Sequence, residues 1–334
     1  MEEIHNHGSQ CMHKHGEHLH SDDEHIHSVG HNHSHAHHHH HHHSVNADSL
    51  NNAFILGIVL NALFVVVEFI IGFFADSIGL ISDAGHNLSD VASLILAMLA
   101  FRLAKIHTNH KYTYGYKKMT IHVSLINAVI LIVAVAFIIY ESVHKLITPE
   151  VVEGKMISIT AAIGVLVNGL TAWLFMKDKE KDLNVKGAYL HMAADALVSI
   201  GVVVSGIIIM LTNMYWIDGV IGLIVAAIII YSTFDLLHDS VRLALDGVPE
   251  GISLDKIASG IKQIENVEDI HHIHIWAIST TENSLTAHVK INRPEELECV
   301  KHNIKHYLQD NNITHSTLEF EFKDSNCSEK ECNC

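Results

Sequence analysis

Charge is scarce in this chain of 334 residues: 17% are Asp, Glu, Lys or Arg, against 49% hydrophobic. Together with a positive mean hydropathy, that deficit excludes an ordinary soluble protein and points to an integral membrane protein with length left for one modest soluble domain. Cysteine is sparse as well. Five residues, too few and too scattered for a disulfide framework, read as reduced and cytosolic. Lys and Arg number 21 against 37 Asp and Glu, for a formal charge of -16, which argues against nucleic acid as a partner. No His-Glu-x-x-His occurs, so an intramembrane metalloprotease lacks its metal-binding signature. The polar start lacks the basic stretch and short apolar run of a cleaved signal peptide, so the first apolar segment is expected to act as the insertion signal.

Histidine is what the chain has in excess. Its 32 residues make the net charge swing strongly across about pH 5 to 8. His-x-His alternation begins at His5, and His37 to His43 are unbroken. Residues 1–49 hold almost nothing apolar beyond Ile4, Leu19 and Ile26, cannot bury a core, and read as a disordered cytosolic tail that gathers metal.

Six apolar segments follow, at about residues 53–75, 78–104, 119–140, 156–176, 188–211 and 217–234, each long enough to cross a bilayer as a helix. They delimit a six-helix transmembrane domain over residues 50–240. The second is polar in its first half, at Ser82, Asp83, His86, Asn87, Ser89 and Asp90. Such residues are tolerated in a span only where they face the bundle or a water-filled cavity. Arg102, Lys105, Lys111, Lys117, Lys118 and then Lys177, Lys179, Lys181, Lys186 fall in alternate loops, which puts both termini in the cytosol. From residue 241 to 323 the pattern turns soluble: an amphipathic helix capped by Ser253, strands at 269–279 and 285–291, a helix opened by Pro294, and a strand at 317–322. This αββαβ order predicts a small α+β, ferredoxin-like domain with helices on one face of a three-stranded sheet. A tail, 324–334, carries Cys327, Cys332 and Cys334.

The chemistry lies in two repeats of one spacing. His86 precedes Asp90 by four residues, and His191 precedes Asp195 by four, which on a helix sets imidazole and carboxylate on one face, one turn apart. Two nitrogens and two oxygens suit tetrahedral zinc. Two aspartates, two neutral histidines and a dication sum to zero charge, whereas the emptied set holds repelling carboxylates that draw in protons. Metal for proton exchange is the expectation. The competing reading makes these residues interhelical hydrogen-bonding groups, as expected for Asn61, Asn127 and Asn168. Asp83 and Glu68 stay open between lining an access path and pairing with a neighbouring helix.

The stretches Asp83-Ala84-Gly85-His86-Asn87-Leu88-Ser89-Asp90, Tyr114-Gly115-Tyr116-Lys117-Lys118, His191-Met192-Ala193-Ala194-Asp195, Asp246-Gly247-Val248-Pro249 and His271-His272-Ile273-His274-Ile275-Trp276 resemble the cation diffusion facilitator family of zinc transporters. The resemblance implies a homodimeric metal/proton antiporter in a plasma (inner) or organelle membrane. It would export zinc, with cobalt and cadmium as further substrates, by alternating access, with His86, Asp90, His191 and Asp195 as transport site. It also implies zinc bound by the cytosolic domain at His271, His288, His315 and Glu321, with Glu319 as an alternative and Cys332 and Cys334 as added thiolates. Cys11 and Cys299 read as incidental. By strand alternation, His271, His272 and His274 are not expected to share one site. The alternative function is a membrane-tethered zinc sensor or buffer.

Overall fold

The computed structural model describes residues 47–74, 78–148, 154–212 and 214–322; within these the side chains of 47–51, 78–83, 86 and 154–160 lie outside the description. The histidine-rich segment before residue 47 and the tail with Cys327, Cys332 and Cys334 are likewise outside it.

Six long helices come first: α1 (Ala47–Phe74), α2 (Ile78–Ala104), α3 (Met119–Ile147), α4 (Gly154–Met176), α5 (Leu183–Thr212) and α6 (Ile217–Ala244). Five are long and apolar enough to cross a membrane; the described apolar part of α4, Ala161–Met176, is shorter. Helices satisfy every backbone donor and acceptor internally, which a hydrocarbon layer demands. Their outer surface exposes Leu63, Phe73, Phe137, Trp173, Met210 and Tyr231, a girdle that water would not tolerate and lipid does. Inside, Phe54, Leu94, Phe175 and Met192 knit α1, α2, α4 and α5, while Val135, Ala194, Val225 and Ile229 join α3, α5 and α6.

Observed helices overrun the apolar segments. α6 continues ten residues past Phe234 to Ala244, where Asp239 pairs with Lys186 of α5 (3.4 Å) and with Arg242 one turn on (2.7 Å). Hydropathy marks where lipid ends, not where the helix does.

The C-terminal domain has α7 (Leu254–Lys262), β1 (Val267–Ala277), β2 (Asn283–Ile291), α8 (Leu297–Asp310) and β3 (Ile313–Phe322). Ser253 Oγ accepts from Lys256 N–H at 3.3 Å, the expected cap of α7. The sheet order is β1-β2-β3, with β1 antiparallel and β3 parallel to β2, so α8 is the crossover that parallel pairing requires. Ile257, Ile261, Ile273, Leu285, Val289, Ile304 and Leu308 form one core between helices and sheet. Cys299 on α8 is disulfide-bonded, against the expectation of a reduced thiol.

The turn between β1 and β2 docks onto the helical domain. Thr280 N–H donates to Thr120 Oγ1 at 3.1 Å, Lys117 Nζ reaches both carboxylate oxygens of Glu282 at 2.9 and 2.6 Å, and Ile121, Leu243 and Ala277 close an apolar patch beside them. Asp182 is at the centre. It caps α5 by accepting from the N–H of Asn184 (2.7 Å) and Val185 (3.3 Å), and the Thr280 hydroxyl donates to its other oxygen.

Burial pushes the Asp182 carboxyl above its ordinary 3.8, with these hydrogen bonds pulling the other way. The folded chain therefore binds this proton more tightly than the unfolded one. The associated stability is present below about pH 3.8 and is lost as pH rises through the folded value. Asp182→Asn, which keeps an acceptor for the helix end, is expected to flatten the acid side of the melting-temperature profile. Asp182→Ala removes the same titration and loses the cap as well, so it should flatten the profile in the same way and lie about 1 kcal/mol below Asp182→Asn throughout. Thermal melts of the purified chain from acid to neutral pH distinguish the two.

Candidate metal centres

α2 and α5 lie side by side, and their polar faces meet. His191 and Asp195 share one face of α5 because they are four residues apart. Asp90 approaches them from α2, with its Oδ1 2.6 Å from His191 Nε2; Asp195 Oδ2 is 4.0 Å from the same nitrogen. One ligand atom from each of the three side chains lies within 4.8 Å of the others. Side-chain exposures of 3% for Asp90, 7% for His191 and 13% for Asp195 make this a nearly dry pocket, where two carboxylates beside one imidazole call for a compensating cation. His86 stands one turn before Asp90 on α2, but its side chain lies outside the described residues, as does that of Asp83.

Two buried amides of the bundle are paired. Asn87 Nδ2 donates to Glu68 Oε2 of α1 at 2.6 Å, both buried, so Glu68 engages a neighbouring helix. Asn61 binds Gly57 O and Thr171 Oγ1, as helix-joining amides do.

Residues 54–243 match the cation efflux transmembrane domain, and residues 249–320 match the cation efflux protein, cytoplasmic domain. The chain belongs to the cation diffusion facilitator family. A "Cadmium, cobalt and zinc/H(+)-K(+) antiporter" of Bacillus subtilis is 36% identical over 263 residues, covering 77% of this chain and 85% of the relative. "Zinc transporter ZitB" of Escherichia coli is 32% identical, with 78% and 84% covered. "Metal cation efflux system protein CzcD" of Cupriavidus metallidurans is 33% identical, with 80% and 85% covered. As a member of this family, the chain is a cation transporter and not an enzyme.

The cation diffusion facilitator's C-terminal domain carries a second group. His271 and His288 are directly opposite in the β1–β2 register. Glu321 on β3 joins them, its Oε1 2.9 Å from His288 Nδ1 and 3.5 Å from His271 Nε2. Ligands on tetrahedral zinc at about 2.0–2.1 Å are about 3.3 Å apart, so these separations fit one ion. Glu319 Oε2 stands 3.6 Å from His288 Nε2, and Asp269 Oδ2 3.5 Å from His271 Nδ1.

His315 is not brought to this group. It is exposed, pairs in register with Ser284 and contacts the Tyr114 hydroxyl at 3.3 Å. Six residues separate it from Glu321, about 20 Å along a strand. Cys332 and Cys334 lie outside the described residues.

Sequence reasoning missed His272. A bulge between His271 and His274, with His272 in the left-handed region at φ 55°, breaks the alternation and stacks its ring on His288 at 5.1 Å. No residue type there announces a bulge.

Proposed function

We propose that this chain exports zinc, with cobalt and cadmium as further substrates, from the cytosol in exchange for protons, working as a homodimer by alternating access. The observation that carries this reading is the meeting of Asp90, His191 and Asp195 between α2 and α5, with His86 completing four ligands. The relatives' printed names supply the substrate class. The architecture that goes with it has α4 as the sixth span, both termini in the cytosol and a ferredoxin-like cytosolic domain.

Exchange follows from the contact at 2.6 Å between His191 Nε2 and Asp90 Oδ1. Such a contact needs a hydrogen between the two atoms, and a dication taking both lone pairs must displace it. Metal and proton therefore compete for one position. One pH unit supplies about 1.4 kcal/mol per proton, so two protons per ion sustain a roughly hundredfold metal gradient.

The test uses purified protein in sealed liposomes with zinc-sensitive and pH-sensitive dyes inside. A transporter moves zinc and acidity in opposite directions. Binding without flux overturns the proposal in favour of a membrane-tethered zinc sensor or buffer.

His271, His288 and Glu321 are proposed to hold a resident zinc. His288→Ala is expected to lower the zinc retained by the dialysed full-length protein by one ion per chain, read by elemental analysis, with Asp90, His191 and Asp195 untouched.

A further inference from the structure

On α8, Cys299, His302, His306 and Asp310 follow one another at intervals of three, four and four, which sets them along one stripe of the helix. The opposite stripe, Val300, Ile304 and Leu308, is buried in the domain core. His302 and His306 are exposed. His288, between the core residues Ala287 and Val289 on β2, points to the sheet face away from the helices, so this stripe lies on the other side of the domain from the His271–His288–Glu321 group. Cys299, being disulfide-bonded, offers no thiolate.

Asp310 Oδ2 is 3.0 Å from His306 Nδ1. A carboxylate on Nδ1 fixes the proton there and leaves the Nε2 lone pair outward, the arrangement by which carboxylates orient metal-binding imidazoles. One turn back, at a Cβ separation of about 5–6 Å, His302 presents a second imidazole to the same space.

We propose that His302 and His306 chelate a zinc-class transition-metal dication on the outer face of α8, with Asp310 as the positioning residue of His306. Two imidazoles leave coordination positions for water or a further ligand, so this is an open, exchanging site and not a closed structural one. It rests on neither the transport site nor the sheet group.

The test is carbethoxylation of histidines in the full-length protein at pH 7, resolved peptide by peptide by mass spectrometry, at increasing buffered free zinc. Wild type is expected to show His302 and His306 protected together, with one midpoint. His302→Ala should abolish protection of His306. Asp310→Asn should move the midpoint to about 10- to 100-fold higher zinc. All three positions are exposed, and an unchanged melting temperature excludes misfolding as the cause. Absence of protection in wild type, protection of His306 that survives His302→Ala, or an unmoved midpoint in Asp310→Asn each overturns the proposal.

Discussion

Asp90→Ala should reduce zinc flux into sealed liposomes by at least about 100-fold, because removing one partner from a buried charged group costs about 3–5 kcal/mol. Asp90 is almost wholly enclosed and touches His191 Nε2 at 2.6 Å, so no water stands ready to replace its oxygen. Asp90→Asn separates charge from shape. The amide keeps the volume and the hydrogen bond to His191 but contributes no negative charge to balance a dication, and it should fail nearly as badly. Asp195→Ala should show a loss of the same order, and the double variant little more than either alone, since ligands of one ion act as a unit. Proton counterflow, read by a pH dye in the same vesicles, should vanish along with zinc uptake. If either single alanine variant keeps more than half the wild-type flux with the protein folded, Asp90, His191 and Asp195 do not carry the ion.

The meeting of Asp90 with His191 and Asp195 was legible because helical spacing is a local property: a His-x-x-x-Asp pair in apolar surroundings announces its own face. The pairing of His271 with His288 was not. It depends on the β1–β2 register, whose bulge at His272 no propensity reveals. The family resemblance implied His315 as a ligand, just ahead of a strand expected to begin at Thr317. Four residues earlier, Ile313 already pairs with Asn283, and the strand carries His315 towards Tyr114. The docking turn was invisible for another reason. Thr281-Glu282-Asn283-Ser284 reads as an ordinary hairpin turn, and nothing in it or in Thr280 specifies Asp182 or Lys117 as partners nearly 100 and 165 residues away. The cap of α5, the helix that bears His191 and Asp195, thus rests on a residue of the other domain, a dependence only the folded chain discloses.

Gly219→Ala should destabilise the α3–α6 pair by about 1–3 kcal/mol, the usual cost of overpacking, lowering the melting temperature of the detergent-solubilised protein by about 2–12 °C. A Cβ at Gly219 would lie 2.6 Å from the backbone oxygen of Ser142 and 2.7 Å from Leu146 Cγ. A carbonyl cannot swing aside, so the helices must part, and in lipid close packing is what holds them together. Gly222 looks similar and should behave differently. A Cβ there would overlap Ser142 Oγ, with Ser142 Cβ next at 3.2 Å, and a hydroxyl can rotate away or be removed. Gly222→Ala should therefore cost less, and adding Ser142→Ala should restore most of the loss. Ser142→Ala cannot relieve Gly219→Ala, because the obstructing atom belongs to the main chain. Equal rescue of both glycine variants would mean that side chains, not backbones, set the approach of α3 to α6.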